Sequence, residues 1–262
     1  MTVPVILLHR GPQEYVKYVA EQARRFDNEV FVLGDASVSC RTHDINDYDM
    51  DMSFRSVYEH LSTNSFEIEL LCFTRWFALY EFMRSHGIET CLHIDSDVLL
   101  FCDVTDEYKK NFSLYDLTLT HRCSGHSSYF TTMGLAKFCS FLLKTYSEKQ
   151  SYDYEKIASH YHIRRKHNLP GGVCDMTLLE YYSYKICGSV GEMMHIVNES
   201  TWDHNINDTD QGYKMRDNVK DVEFHFEHMP FVQHPSGLIR FNSLHCQGPA
   251  KSLILRLCDA RK

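Results

Sequence analysis

The sequence predicts an α/β fold in which a central, mostly parallel sheet is flanked by helices. Three observations carry this. The chain opens strand–helix–strand within about thirty residues, the βαβ pattern that implies parallel pairing and a right-handed crossover. Later apolar runs of strand length alternate with stretches of helical period. The 262 residues, 44% hydrophobic, 13% aromatic and 24% charged, form a globular composition long enough to bury a full core. No internal repeat or linker divides the chain, so residues 1–262 read as one domain.

The elements follow in order. Residues 3–9 (VPVILLH) form a buried strand broken by Gly11-Pro12. Residues 13–26 carry an apolar stripe at Tyr15, Val16, Val19, Ala20 and Ala23, hence a helix. Residues 29–34 are a second buried strand ending in Gly34. Residues 35–65 are polar, with Asp44, Asp47, Asp49 and Asp51 close together, and read as a loop with short elements. Residues 66–85 predict a long helix stopped at His86-Gly87. Residues 90–101 (TCLHIDSDVLLF) predict one strand delivering two aspartates. Residues 114–121 alternate like a strand. Residues 127–146 predict a short strand and then a helix from about Leu135. Residues 147–170 are polar and basic, and Gly171-Gly172 break the chain before another helix from Cys174. Residues 198–235 read as irregular, and the tail as a short strand (243–246) before a closing amphipathic stretch.

The net charge of −8 argues against a protein that grips nucleic acid through its phosphates. The start, MTVPVILLHRGPQ, reads as a strand rather than a signal peptide, and no stretch approaches the roughly 20 apolar residues of a membrane helix. The ten cysteines show no C-x-x-C or C-x-C spacing, and several lie in apolar runs, so they read as reduced packing residues. The expectation is a soluble, cytoplasmic protein. Three sequons, at Asn111, Asn198 and Asn207, pull weakly the other way.

Two motifs carry chemistry. Leu92-His93-Ile94-Asp95-Ser96-Asp97-Val98-Leu99-Leu100 sets two carboxylates around one small residue where a buried strand ends. Ligands of open α/β sheets bind beyond such strand ends. Two ionised carboxylates so close repel, and a hard divalent cation relieves that repulsion and can bridge to a diphosphate. The plainer reading is a turn that caps a helix. The second motif is His245-Cys246-Gln247-Gly248-Pro249-Ala250-Lys251. A neutral imidazole ligates metal, Gly248 lets backbone approach a phosphate, and Lys251 supplies a point charge. Among 16 histidines, the plainer reading of His245 is a structural residue.

The order of these features resembles the GT-A nucleotide-sugar glycosyltransferases, in particular the branch of glycogenin and galactosyltransferase-like enzymes. The resemblance rests on CFTRWFALYEFMRSHGIETCLHIDSDVLL (72–100) and LHCQGPAK (244–251), and more weakly on PVILLHRG (4–11). It implies a GT-A domain whose residues 1–102 bind nucleotide and whose residues 103–262 bind acceptor. It implies a metal-dependent transfer of sugar from a UDP-sugar to a hydroxyl of a carbohydrate or glycoprotein glycan. Asp95, Asp97 and His245 would hold Mn²⁺ or Mg²⁺. His9, Arg10, Asp35, Arg75, Asp95, Ser96, Gly248 and Lys251 would bind the donor. Two departures are D-S-D in place of the usual D-A-D, and Ser252-Leu253 where Pro-Trp often follows the lysine.

An inverting transferase also needs a general base. Asp175, after the glycine pair and at the start of a helix, is the candidate, against the plainer reading of a helix N-terminal carboxylate. The run His160–His167 reads as a solvated face. Trp202, Tyr129 and Phe130 read as core, or as stacking platforms for an acceptor sugar. Cys246 is the thiol whose modification would block the site. A nucleotidyltransferase or phosphohydrolase would use the same carboxylate pair, but HRGPQ does not match the Gly-rich phosphate loop expected of one. A non-catalytic sugar-nucleotide-binding domain is the alternative outside the enzymes.

Overall fold

The structure is a computed structural model that describes residues 2–48, 52–186, 188–209, 211–226 and 228–259. The predicted βαβ unit is present: β1 (Val5–His9), α1 (Tyr15–Arg24) and β2 (Val30–Gly34), with β1 and β2 parallel. The polar stretch that follows holds β3 (His43–Asp44), a 3-10 turn and α2 (Met52–Val57), while Asp49 and Asp51 lie outside the described residues. The long helix α3 spans Phe66–Ser85 as the sequence predicts, and Gly87 takes a φ of +66° just past its end.

Residues 90–101 depart from expectation. They form two strands, β4 (Thr90–Ile94) and β5 (Val98–Leu100), and Asp95-Ser96-Asp97 is the turn between them. The next elements are α4 (Val104–Glu107), a π-helical segment (Tyr108–Phe112), β6 (Leu117–Leu119), β7 (Ser127–Thr131) and α5 (Thr132–Ser147). Helix α5 begins three residues before the predicted start because the Thr131 hydroxyl accepts from the Gly134 N–H and caps it there.

Residues 152–166, within the stretch that the sequence marks only as polar and basic, are helix α6 (Tyr152–Lys166). Of its side chains only Ile157 is buried, so it lacks the apolar stripe that marks a helix in sequence. Asp153 and Glu155 in its first turn and Arg164, Arg165 and Lys166 in its last complement the helix dipole. Then come α7 (Asp175–Lys185), β8 (Val190–Glu192) and β9 (Ser200–Thr201). The stretch 198–235, expected to be irregular, contains further strands β10 (Met215–Arg216), β11 (Val219–Lys220), β12 (Glu223–His225) and β13 (Met229–His234). Strands β14 (Gly237–Phe241) and β15 (Ser243–His245), a 3-10 segment (Gly248–Leu253) and α8 (Ile254–Asp259) close the fold.

The central sheet has seven strands in the order β3-β2-β1-β4-β7-β6-β8. Four of its six pairings are parallel, and only β7 runs against its neighbours. The expected α/β architecture, a mostly parallel sheet flanked by helices, is therefore present. Strand alternation divides the core in two. Val5, Leu7, Val32, Leu92 and Ile94 face α1 and α8, while Ile6, Leu33 and Cys91 face α3, α5 and α7. A four-stranded sheet, β12-β13-β14-β9, packs on the α1 side through Val232, Ile239 and Phe241. The nine described cysteines form no disulfide with one another, and five of them are buried; Cys187 lies outside the described residues. Among the described residues no helix is long and apolar enough to cross a membrane.

The pairing that matters most for the site joins β5 to β15. They run antiparallel with Val98 opposite His245 and Leu99 opposite Leu244. One step further, the Cys246 N–H donates to the Asp97 carbonyl at 2.8 Å. Both strands are buried, β5 with apolar side chains throughout, and their zippering lays the late motif beside the early one.

Candidate active site

A cleft of about 350 Å³ opens beyond the carboxyl ends of β1 and β4. His9, Arg10, Arg75, Asp95, Ser96, Asp97 and Lys251 all line it. Seven of the expected donor or metal residues thus share one concavity, as the switch-point rule for α/β sheets requires. Leu8, Ile45, Tyr15, Ile68, Leu71 and Cys72 complete its wall, and none of these six was named as a site residue from the sequence. For Tyr15, Ile68, Leu71 and Cys72 the only signal was position on α1 and α3, the helices that flank the cleft.

Asp97 is the hub. Its Oδ1 lies 3.5 Å from His245 Nε2 and its Oδ2 lies 3.3 Å from Lys251 Nζ, and its side chain is only 9% exposed. Lys251 stands three residues after Gly248, whose φ of +59° is a left-handed conformation that suits glycine. A side chain on Gly248 would meet no atom within 4 Å, so conformation rather than crowding calls for glycine. Burial lowers the affinity of Lys251 for its proton, but the Asp97 carboxylate more than reverses this and holds its pKa above the ordinary range.

His245 is positioned from three sides. Its backbone N–H donates to Asp203 Oδ2 at 2.9 Å, its Nδ1–H donates to the His204 carbonyl at 2.6 Å, and its ring stacks on His126 at 4.0 Å. The Nδ1 bond fixes the tautomer and turns the Nε2 lone pair toward Asp97. Behind it, Lys220 and Asp203 form a fully buried pair at 2.6 Å, and Lys220 also donates to the Asn205 carbonyl at 2.7 Å. Burial opposes a proton on His245, yet the Asp97 carboxylate outweighs burial and raises its pKa.

Asp95 faces elsewhere. Arg75 bridges it to Asp175, donating from Nη1 to Asp95 Oδ1 at 2.7 Å and from Nη2 to Asp175 Oδ2 at 2.6 Å. Burial would raise the Asp95 pKa, but the Arg75 guanidinium brings it well below the usual carboxylate range. His93 Nε2 lies 3.4 Å from the same oxygen. The sequence expectation joined Asp95, Asp97 and His245 as one ligand set. The structure brings Asp97 and His245 together and leaves Asp95 paired with Arg75. Among the described residues no three His, Cys, Asp or Glu side chains form a ready metal cage.

The donor set nevertheless suits a hard cation. A carboxylate oxygen and an imidazole lone pair face each other at 3.5 Å, and only a proton or a cation between them reconciles that approach.

Asp175 does not line the cleft. It is 4% exposed, and it accepts from Arg75 Nη2, from Trp76 Nε1 at 3.1 Å and from the Met176 N–H at 2.9 Å. A carboxylate so occupied anchors Arg75 rather than facing a substrate proton as the expected base. Asp35 also lies off the cleft wall. Its carboxylate accepts from the Gly11 N–H at 3.1 Å and from the Ser37 hydroxyl, the bond that most lowers its pKa, and it ties the loops after β1 and β2 together. Arg10 donates to Asn46 Oδ1 at 3.0 Å, and His9 Nε2 bonds Gln13 Oε1 at 2.7 Å. Cys246 is fully buried and burial pushes its thiol up, so the expectation that its modification blocks the site is corrected. Tyr129 and Phe130 are core residues.

No family model and no curated protein matches the sequence. Among solved structures, the chain is similar to a glycosyltransferase involved in the glycosylation of the major capsid of PBCV-1, at 11% identity over 99% of this chain and 100% of that one, with a TM-score of 0.45. It is similar to mouse xyloside xylosyltransferase 1 at 9% identity over 76% and 88%, with a TM-score of 0.48. It is similar to the galactosyltransferase LgtC at 12% identity over 98% and 96%, with a TM-score of 0.44.

Proposed function

We propose that the protein is a GT-A glycosyltransferase that moves a sugar from a UDP-sugar to a hydroxyl of a carbohydrate acceptor, with Mn²⁺ or Mg²⁺ as its cofactor. The observation that carries the reading is that Asp97, in the turn that lines the cleft with Asp95 and Ser96, meets both His245 and Lys251 of the late motif, Lys251 itself lining the cleft. Two motifs of modest specificity, far apart in sequence, meet through Asp97.

Asp97 and His245 would hold the cation, with Asp95 the expected third ligand. The cation would supply charge to the departing diphosphate. Lys251 adds a second positive charge, and its hold on Asp97 keeps the ammonium at the cleft mouth before donor arrives. Arg75 presents a guanidinium fixed by two carboxylates, an orientation that a phosphate or sugar oxygen can exploit without further ordering. Among the described residues, Lys251 is the only one lining the cleft from outside the stretch 8–97. Residues 1–102 therefore serve as the donor half of a single unit.

Asp97→Ala tests the assignment. Expected is loss of sugar transfer, followed as UDP release, together with loss of Mn²⁺-dependent UDP binding by calorimetry, while the circular dichroism spectrum is kept. Sugar transfer at the wild-type rate in that variant would overturn the reading.

A further inference from the structure

We propose that the carboxyl end of helix α6, with the loop that follows it, docks on an anionic phospholipid bilayer. Between Glu155 and Asp175 the chain carries no acid, yet it holds Lys156, Arg164, Arg165, Lys166 and the histidines His160, His162 and His167. The whole chain has the opposite balance, 35 acids against 27 lysines and arginines. One or two cations in the last turn would suffice for the helix dipole. A run of this length instead makes a local positive field on an acidic protein.

These charges are not consumed inside the fold. Among the described residues Arg164, Arg165 and Lys166 form no ion pair, and Arg165 and Lys166 are exposed. Glu59, whose field reaches His162, is already held by Lys149 at 2.6 Å and by the Tyr154 hydroxyl at 2.7 Å. Asp153, at the far end of the helix, is taken by Lys185 and Tyr181. Glu155 is exposed, but it lies eight residues before Ile163, about 12 Å along the helix axis.

Apolar side chains stand among the cations. Ile163 is 58% exposed and Leu169 46%. On the helix surface the neighbours of Ile163 one turn away are His160, Lys166 and His167. Helix α6 buries only Ile157, so the side turned away from the core is open to a partner. The tip is also anchored. The Leu169 N–H donates to the Arg164 carbonyl at 2.9 Å, the Gly171 N–H to Thr63 Oγ1 at 2.8 Å, and the Thr63 N–H to the Gly171 carbonyl at 3.2 Å. Docking therefore requires little further ordering of the chain. A bilayer satisfies both parts of this surface, with headgroup phosphates for the cations and the acyl boundary for Ile163 and Leu169. A nucleic acid or an acidic polypeptide would pair the cations and leave both apolar side chains in water.

The full chain is mixed with unilamellar vesicles of phosphatidylcholine, alone or with about 30% phosphatidylglycerol, and the bound fraction is read by flotation. Expected is binding to the anionic vesicles in about 50 mM NaCl, release in about 300 mM, and no binding to phosphatidylcholine alone. Arg165→Glu with Lys166→Glu should lower the partition coefficient at least about tenfold. Ile163→Ser with Leu169→Ser should lower it about tenfold. The emission of an Ile163→Trp variant should shift to the blue on anionic vesicles. All of these side chains are exposed, so each variant should keep the wild-type circular dichroism spectrum. The charge-reversed variant should also bind UDP with Mn²⁺ as wild type does in vesicle-free solution, so failure of the donor reading leaves the vesicle result standing. The proposal is overturned if wild type does not float with anionic vesicles or if the charge-reversed variant floats equally well. It is also overturned if Ile163→Ser with Leu169→Ser binds as tightly as wild type or if the Ile163→Trp emission does not move, the outcomes expected of a site for an acidic polypeptide or nucleic acid.

Discussion

Arg75 shows what a single buried charge does for this fold. Its side chain is 16% exposed, its two carboxylate partners come from different elements, and its guanidinium sits 4.6 Å above the Trp76 ring. Removing it would leave Asp175, 4% exposed, ionised beside an indole N–H and one backbone N–H. Arg75→Met is therefore expected to destabilise the protein by about 3–5 kcal/mol in urea unfolding, the range for breaking a buried pair. Adding Asp175→Asn should recover part of that loss, since the orphaned charge is gone; a double variant no more stable than the single would reject this account. His126 acts through protons instead. Burial, helped by His245 stacked against it, holds its pKa well below 6.5 in the folded chain. An unfolded histidine takes its proton near pH 6.5, so the unfolded state binds more protons below that value and stability falls as pH drops through it. His245 has the opposite sign: its raised folded value makes its contribution complete below about pH 6.5 and lost as pH rises through the folded pKa. Urea midpoints measured from pH 5 to 7 should fall less steeply on the acid side in His126→Gln than in wild type. Equal slopes would contradict the assignment.

Elements with an apolar stripe or a strong stop were legible in the sequence, and those held by context were not. Helix α3 and its end at Gly87 follow directly from side-chain period and glycine chemistry. Helix α6 buries one side chain and so leaves no periodic trace, and strands β10 to β13 are too short and too polar to stand out from the loop around them. The glycine pair before α7 was legible as a break but not as a packing device. Gly171 takes a φ of +81°, and Gly172 bridges to Ser62, where an added Cβ would stand 2.2 Å from the Leu61 carbonyl oxygen. The atom struck belongs to backbone, which cannot rotate away. Gly172→Ala is therefore expected to cost about 1–3 kcal/mol by overpacking. Gly87→Ala meets nothing within 4 Å and should cost only the left-handed backbone penalty, about 1 kcal/mol. Thermal melts of the two variants that ranked Gly87→Ala as the worse would mean the 61–62 backbone yields easily.

At the scale of the whole molecule, the residues of the cleft were legible and their pairing was not. The two motifs, with the resemblance they carry, picked out Asp95, Asp97, His245 and Lys251, but they could not show that β5 and β15 pair, because register between distant strands leaves no local signature. Nor could they show Arg75 holding Asp95 away from Asp97, since that depends on where α3 lies over β4. The consequence is a cleft built from the two ends of the chain, and anything bound across it should tighten the entire fold. A ligand that binds only the folded state at about a hundred times its Kd stabilises by about 2.7 kcal/mol. For a chain of this size that corresponds to a rise in Tm of roughly 5–10 °C. UDP with Mn²⁺ should produce such a rise in wild type, and UDP with EDTA a much smaller one. Asp97→Asn keeps the volume but weakens the cation's ligand, so its rise should vanish. Lys251→Ala removes one charge while leaving Asp97 and His245 in place, so its rise should be intermediate. Equal shifts in all three proteins would mean that UDP stabilises the fold from somewhere other than the β5–β15 seam.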